Sequence, residues 1–333
     1  MSEVTVVIPT YNKDFYLGLT LAGFARQTYK DFEVIVVDDG GTADLEPALD
    51  PIRDRVDLKL VRQENAGRAA ARNAGARAGK GSLLIFCDDD RIPDEDFVEA
   101  HVRASAGAQH VRIGQKRQAL TRWIPNALPT AASLIASERL RGELSAVEDL
   151  VSASDILQRG ATQALTPVAL LGHRDNFDSV RAIYGDSFAG FRLPWLAVTT
   201  ANLSLSRAVF ESVGGFETAY AGWGAEDTDL GYRLWCNNYE FTYIADAINY
   251  HQVHPIGTTG DYELDVILRQ KQLQLNATRM ARKYETLEVF LFQGMCESRF
   301  SPLEASTIAQ DLAERNLTDR VMREILALYQ KAS

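Results

Sequence analysis

Short apolar, β-branched runs alternate with helical segments over the first 90 residues of the chain. The runs lack the polar alternation of a half-exposed strand, which is typical of strands buried on both faces of a parallel sheet. Leu17, Leu21 and Phe24 recur at helical spacing after the first run. Strand and helix in regular alternation predict right-handed βαβ units and a mostly parallel sheet. The predicted strands are 4–9, 33–37, 58–61 and 83–87, and the predicted helices begin at Asp14 and span 43–53 and 66–79.

The pattern is less regular in the second part of the chain. Residues 97–190 contain helical pieces but show no regular order of strands, and strand-like patterns return at 195–205 and 241–245. From about residue 261 the pattern is helical and amphipathic, so this segment must bury its apolar side on the preceding domain or on another subunit. We therefore expect an α/β domain over 1–255 and a helical C-terminal extension over 256–333.

The composition indicates a globular protein without a nucleic-acid partner. The 333 residues are 46% hydrophobic and 24% charged, which is enough apolar material for a full core. The 35 basic and 45 acidic residues give a net charge of −10, whereas a protein that grips DNA or RNA presents a basic surface. Cys87, Cys236 and Cys296 are widely spaced, which argues against a disulfide framework and against a thiolate zinc site.

The first residues enter a strand directly, without a basic segment followed by a long apolar one. No stretch approaches 18 uncharged apolar residues, the length that a membrane helix needs. We therefore expect a cytoplasmic protein, which would meet a lipid-linked partner only as a peripheral protein at the membrane surface.

Acidic residues follow two of the predicted strands, at the sheet edge where open α/β sheets bind ligands. Asp38 and Asp39 follow the second strand, and Asp88, Asp89 and Asp90 follow the fourth. No GxGxxG or GxxxxGK[ST] motif follows the first strand, which argues against a dinucleotide oxidoreductase and a P-loop enzyme. Alternate members of the acidic triplet can reach one Mg²⁺ or Mn²⁺ ion. A solvated acidic turn is an equally good explanation of the triplet alone.

A second acidic motif follows a Gly-Trp-Gly loop. The helical pattern begins near Glu226, so Glu226 and Asp227 lie in the first turn, where the helix dipole favours an ionised carboxylate suited to a general base. Trp223 offers a flat apolar face of the kind on which sugars stack. Complementation of the helix dipole would explain Asp229 but not the two further acids.

Two histidines form an HxxH pair near the end of the α/β domain. The pair lacks the glutamate of HExxH, so it does not indicate a zinc protease. A neutral nitrogen of His251 can join Asp88 and Asp90 as a metal ligand, which favours Mn²⁺ slightly over Mg²⁺. We expect His254 to be a structural histidine.

The motifs occur in one order over residues 4–255: VTVVIPTYN, VIVVDDGG, ENAGRAAARNAG, FCDDD and GWGAEDTDL. This ordered set resembles the family 2 glycosyltransferases, which have the Rossmann-like GT-A fold and use nucleotide-diphosphate sugars. From AVTTANLSLSR through the GWGAED segment to YHQVHP, the chain resembles the chondroitin-polymerase and β-galactosyltransferase types. The resemblance implies that 110–195 is a variable segment on the acceptor side.

The resemblance also implies roles for single residues. It makes Asp227 the catalytic base, places Glu226 and Trp223 at the acceptor, and makes Asp88, Asp90 and His251 the metal ligands. It places Asp39 at the pyrimidine ring. The full set implied to bind the nucleotide sugar is Pro9, Thr10, Tyr11, Asp39, Arg68, Arg72, Asp88 and Asp89.

The expected activity is an inverting, Mn²⁺- or Mg²⁺-dependent transfer of a sugar, from a UDP-sugar in particular, to a hydroxyl of a glycan, glycolipid, peptide or small molecule. The C-terminal helices are candidates for a homo-oligomer contact. Two alternatives stay open. A nucleotidyltransferase would share the sheet and the acids but needs a Gly-rich basic first loop, and a non-catalytic sugar-nucleotide-binding relic would tolerate the loss of the base or the metal ligands.

Overall fold

The structure is a computed structural model, and it describes residues 3–105, 110–125, 134–137, 144, 146–172, 175, 177–220, 222–257 and 259–332. The strands are β1 Val4–Thr10, β2 Phe32–Asp39, β3 Asp57–Gln63, β4 Leu83–Phe86, β5 Arg91–Pro93, β6 His110–Ala119, β7 Arg122–Trp123, β8 Glu148–Asp149, β9 Leu203–Ser206 and β10 Glu240–Gln252.

The helices alternate with these strands at first and then follow one another to the end of the chain. They are α1 Asp14–Ala25, α2 Glu46–Leu49, α3 Arg68–Ala78, α4 Phe97–Ala104, α5 Ala153–Arg159, α6 Ala161–Leu165, α7 Asp178–Tyr184, α8 Arg207–Ser212, α9 Glu226–Cys236, α10 Tyr262–Tyr284, α11 Leu287–Cys296, α12 Pro302–Glu314 and α13 Thr318–Ala332. Short 3₁₀ turns lie at Asp50–Ile52, Thr166–Val168 and Pro194–Ala197.

Within the described residues, eight strands form one sheet in the order β3-β2-β1-β4-β9-β6-β10-β5. The first four strands are parallel to one another, with β1 between β2 and β4. The side chains of β2 and β4 are buried throughout, as expected for strands covered on both faces by helices. The mostly parallel α/β sheet predicted from the sequence is therefore confirmed.

The far half of the sheet is mixed. Strand β9 runs antiparallel between β4 and β6, and β6 pairs in parallel with the long strand β10. The short strand β5 follows the acidic triplet and pairs antiparallel with the end of β10, so that Arg91 lies opposite His251. This pairing brings the triplet and the HxxH segment to the same sheet edge.

Two predictions for the middle of the chain are wrong. The segment 195–205 is a strand only at its end, because the residues from Pro194 to Ala197 form a 3₁₀ turn that buries Trp195. Strand β6 lies in the region predicted to have no regular strands. Its sequence includes Arg112, Lys116 and Arg117, which break the apolar pattern although the backbone pairs on both sides.

The C-terminal helices pack on the sheet domain. Ala277, Met280 and Phe292 belong to one buried apolar cluster with Trp195 and Phe86. The ring of Phe292 meets that of Trp195 edge-on, with centroids 5.9 Å apart. The predicted amphipathic extension is therefore helical and buries its apolar side on the preceding domain, and an oligomer contact through it stays a prediction. None of the described helices combines the length and the apolar content that a membrane span requires.

We expect Phe292→Ala to lower the free energy of unfolding by about 3 kcal/mol or more, because it leaves a cavity beside Trp195. Leu275→Ala is the matched control, since Leu275 lies on the neighbouring helix with 67% of its surface exposed. Its cost should stay within about 0.5 kcal/mol. Urea unfolding followed by circular dichroism measures both, and equal stability of the two variants would contradict this packing.

Candidate active site

Four segments meet at the carboxyl edge of the sheet: the loop after β1, the acidic triplet after β4, the first turn of α9 and the end of β10. Contacts between their side chains join them. The Thr10 hydroxyl after β1 donates to Asp89 at 2.8 Å, and Lys13 reaches Asp90 at 2.7 Å. This edge is where ligands bind open α/β sheets.

Asp90, His251 and His254 form a compact group of candidate metal ligands. One ligand atom from each lies within 4.8 Å of the other two. Asp90 Oδ2 is 2.9 Å from His254 Nε2 and 3.9 Å from His251 Nε2. Desolvation and the charge of Arg91 hold the pKa of His251 well below its usual value, so its imidazole is neutral and has a lone pair for a metal.

The contacts of His254 bring its Nε2 close to the carboxylate of Asp90 and to the ammonium group of Lys13. Its Nδ1 lies 2.7 Å from the carbonyl oxygen of Pro255, which can only accept, so Nδ1 carries a proton. The 2.9 Å contact between His254 Nε2 and Asp90 Oδ2 then joins the carboxylate either to an N–H of the ring or, across a shared cation, to a ring lone pair. Lys13 supplies such a cation, since its Nζ donates to Asp90 and lies 3.3 Å from His254 Nε2.

Lys13 also neutralises part of the acidic triplet. Burial lowers the pKa of Lys13, but the negative charges of Asp89 and Asp90 outweigh burial and raise it. In turn, although burial opposes it, the positive charge of Lys13 holds the pKa of Asp90 well below its usual range. Burial raises the pKa of Asp89 to about 6, and its carboxylate faces inward to Thr10.

A buried guanidinium connects the two acidic motifs. Arg72, on α3, is 3% exposed and donates to Asp88 at 2.8 Å and to Glu226 at 3.0 Å. Burial lowers the pKa of Arg72, but the charges of Asp88 and Glu226 outweigh burial and raise it. Asp88 therefore pairs with Arg72 in the structure, whereas the compact group among the described residues contains Asp90 and the two histidines.

Asp227 is the half-buried neighbour of Glu226 in the first turn of α9. Its Oδ1 accepts from the backbone N–H of Thr228 at 2.8 Å, and no described residue donates to its Oδ2. Desolvation and the adjacent charge of Glu226 raise the pKa of Asp227 to about 6, while Arg72 opposes the rise. Burial and the adjacent charge therefore act on this carboxylate in addition to the helix dipole.

The turn before α9 is strained and is held by the C-terminal helix α10. The backbone of Ala225 has a φ of 76°, a left-handed conformation that residues other than glycine rarely adopt. Asn276 Nδ2 on α10 donates to the carbonyls of Gly224 at 2.8 Å and Trp223 at 3.3 Å. Behind the turn, Asp229 is fully buried and pairs with Arg233 at 2.7 Å, as the spacing predicts.

The residues implied to bind the nucleotide lie beside these acids. Tyr11 is 51% exposed at the edge of the site. Asp39 is buried and accepts hydrogen bonds from Gln63 at 2.7 Å and from the backbone N–H groups of Ala66 and Gly67, each at 2.9 Å. Its carboxylate thus anchors the loop that leads into α3, and contact with a pyrimidine stays a prediction.

The structure brings together most residues that the sequence indicated, with two additions. His254, expected to be structural, lies among the candidate metal ligands, and the HxxH spacing is the signal that could have shown this. Lys13 was missed, because no sequence pattern distinguishes it from a surface lysine. Pro9 is partly buried and Arg68 lies 3.9 Å from Glu226. Their nucleotide roles, and that of Arg72, stay predictions.

Comparison with known families decides what this arrangement is. The profile described as "Glycosyl transferase family 2" matches residues 5–122, and the profile described as "N-terminal domain of galactosyltransferase" matches residues 184–255. The chain carries a family 2 glycosyltransferase domain. The resemblance noted in the sequence is thereby confirmed, and the two matched segments contain the acidic triplet, the start of α9 and both histidines of the site.

Relatives of this family 2 domain are named glycosyltransferases. The chain is 32% identical over 294 residues to validoxylamine A glucosyltransferase of Streptomyces hygroscopicus subsp. limoneus, which covers 87% of this chain and 58% of that protein. It is 26% identical over 255 residues to chondroitin synthase of Escherichia coli, which covers 76% of this chain and 35% of that protein. The chain thus spans about three fifths of the length of the first of these relatives.

A solved structure has the same fold. The mannosyltransferase PcManGT from Pyrobaculum calidifontis, in complex with GDP-Man and Mn²⁺, superposes with a TM-score of 0.55 at 19% identity. The match covers 98% of this chain and 80% of that chain. Together with the observed sheet, it confirms the GT-A fold predicted for this family 2 domain.

We expect Arg72→Met to lower the free energy of unfolding by about 3–5 kcal/mol, the usual cost of removing one partner of a buried ion pair. The folded-state pKa of Asp227 is raised, so this carboxylate is charged at pH 8 and largely protonated at pH 5. The loss should therefore be larger at pH 8. Urea unfolding at both pH values measures it.

Arg77→Met is the matched control, since Arg77 lies exposed on the same helix. It should cost less than about 0.5 kcal/mol at both pH values. If Arg72→Met behaved like this control, the bridge between the acidic motifs would not contribute to stability.

Proposed function

We propose that the chain is an inverting, metal-dependent glycosyltransferase that moves a sugar from a UDP-sugar to an acceptor hydroxyl. The observation that carries the proposal is the bridge formed by Arg72. Arg72 binds Asp88 in the acidic triplet and Glu226 in the first turn of α9, so it holds the triplet next to Asp227. A base beside a metal-bound diphosphate is what sugar transfer to a hydroxyl requires.

Asp227 is the proposed general base. A carboxylate with a pKa of about 6 is ionised at neutral pH, yet it is more basic than an exposed aspartate. Its Oδ2 has no donor among the described residues and is therefore available to an attacking hydroxyl. Attack by one activated hydroxyl on the face opposite the leaving group inverts the anomeric carbon.

Glu226 and Trp223 are proposed to position the acceptor. One oxygen of Glu226 is held by Arg72, which leaves the other for an acceptor hydroxyl. Adjacent positions on a helix point about 100° apart, so Glu226 and Asp227 cannot take the same role. The validoxylamine A glucosyltransferase and chondroitin synthase relatives indicate acceptors with sugar-like hydroxyls.

Asp90, His251 and His254 are proposed to hold the metal ion. One carboxylate and two imidazoles are a better donor set for Mn²⁺ than for Mg²⁺, which prefers oxygen ligands. The fit is supported by the closeness of the three groups, since one ligand atom from each lies within 4.8 Å of the other two. When bound, such an ion would neutralise charge that develops on the departing nucleoside diphosphate.

We expect Asp227→Asn to lower the transfer rate by about 10²- to 10⁴-fold at saturating substrates, since the amide cannot take up the hydroxyl proton. Binding of UDP should be unchanged. In the wild type the rate should fall as the pH falls through about 6, because Asp227 is then protonated. Product formation from pH 5 to 8 measures both effects.

Glu226→Gln is the matched control at the neighbouring position. It should mainly raise the KM of the acceptor. It should keep an acid limb in the pH profile, shifted to lower pH because the adjacent charge that helps to raise the pKa of Asp227 is gone. Turnover of Asp227→Asn near the wild-type level would show that the base lies elsewhere or that the reaction is not an inverting transfer.

We expect His254→Ala to weaken Mn²⁺ binding by roughly 10-fold or more, because even partners outside the ligand shell can contribute that much. Excess EDTA should abolish transfer. Titration of Mn²⁺ in the presence of UDP, followed by the EPR signal of free Mn²⁺, measures the affinity directly.

His110→Ala is the matched control, since His110 lies on β6 beside Glu240 and outside the group of candidate ligands. It should bind Mn²⁺ like the wild type. Unchanged affinity in His254→Ala would remove His254 from the ligand set, and full activity in EDTA would overturn the metal dependence.

A further inference from the structure

We propose that Arg269, on the C-terminal helix α10, binds the diphosphate of the nucleotide sugar together with Arg68 on α3. The inference rests on the proposed function and adds a substrate contact from outside the matched domains. The family profiles end at residues 122 and 255, so neither assigns a role to this helix.

The position of α10 relative to the site is defined by close contacts. Asn276 bonds the carbonyls of Trp223 and Gly224. A Cβ atom at Gly222 would lie 2.5 Å from the side chain of Gln272, and one at Gly224 would lie 2.8 Å from Leu273. The glycines of the loop therefore allow the helix to lie directly against it.

Arg269 lies on the same face of α10 as Asn276, seven residues and about two turns earlier. Its guanidinium carbon is 5.5 Å from the centroid of the Trp223 ring, within the range of a cation–π contact. The side chain is half-buried. Among the described residues, no carboxylate lies within ion-pair distance of Arg269.

The surroundings of Arg269 indicate an anion site. Desolvation and the positive charge of Arg68 lower the pKa of Arg269, whereas the negative charges of Asp90 and Asp265 raise it. Arg68 lies 3.9 Å from Glu226, which Arg72 binds more closely at 3.0 Å. An anion between Arg68 and Arg269 would therefore gain two guanidinium partners.

The anion that fits this position is a diphosphate. Arg68 lies beside Glu226, which Arg72 joins to Asp88, two residues before the candidate metal ligand Asp90. A group between such a metal and the two arginines would meet positive charge on both sides. Planar guanidinium groups bind phosphate oxygens with two parallel hydrogen bonds. An acceptor hydroxyl is neutral and would not need this charge, which favours the donor over the acceptor as the ligand.

The test compares the affinity for UDP of the wild type, R269Q, R269K and R282Q by isothermal titration calorimetry with saturating Mn²⁺. Arg282 is an exposed arginine on the same helix, so R282Q removes the same charge far from the site. We expect R269Q to bind UDP roughly 10-fold or more weakly, the scale of one charge-assisted contact. The affinity of R269K for UDP should be intermediate, because lysine keeps the charge but lacks the paired N–H donors of the planar guanidinium group.

Uridine, which lacks phosphate, is the second probe and is followed by ligand-observed NMR. Loss of UDP affinity with unchanged uridine affinity in R269Q supports the diphosphate contact. Equal UDP affinity in the wild type and R269Q overturns it while the proposed function stands. Equal loss for UDP and uridine, or an equal loss in R282Q, also overturns it. Absence of UDP binding by the wild type overturns the proposed donor and this inference together.

Should R269Q melt below the wild type, R269K decides the outcome. A lysine at this position keeps the aliphatic stem over Trp223, so the packing of the helix is retained. If folded R269K binds UDP as tightly as the wild type, the paired N–H donors of Arg269 do not contact the diphosphate, which contradicts the proposal.

Discussion

The arrangement of the site depends on one buried guanidinium. Arg72 bonds Asp88 after strand β4 and Glu226 at the start of helix α9, and Glu226 lies 154 positions further along the chain. Arg72 and Glu226 are almost fully removed from water, whereas the side chain of Asp88 is 29% exposed. Loss of Arg72 would therefore leave a buried carboxylate unpaired, at a cost of several kcal/mol. The two acidic motifs therefore cannot move apart independently, and Asp227 is held next to the acidic triplet.

The sheet supplies the second constraint. The chain turns back after the triplet into the short strand β5, which pairs with the end of β10. This register places Asp90 beside His251 and His254, although they are far apart in the sequence. Lys13 from the first loop lies among the same groups and balances their charge. A group of oxygen and nitrogen ligands thus arises from backbone pairing at the edge of a GT-A sheet.

The C-terminal helices belong to the site as well as to the core. They share an apolar cluster with Trp195, so they cannot detach without exposing it. Through Asn276, helix α10 also holds the strained turn at Ala225 from which α9 begins. The same contacts bring Arg269 over Trp223. One helix therefore contributes both to the apolar core and to the loop of the candidate site.

Local patterns were sufficient for the elements whose cause is local. Apolar runs predicted β1 to β4, and a helix was predicted to begin near Glu226, where α9 begins, because spacing and first-turn acids are properties of adjacent positions. Strand β6 was missed because the polar residues in its sequence break the apolar pattern. The position of His254 beside Asp90, the ion pairs of Lys13 and the burial that raises the pKa of Asp227 to about 6 were not predictable in this way. They depend on distances between segments that meet only when the sheet and helices pack, and electrostatic energies are set by those distances and by burial.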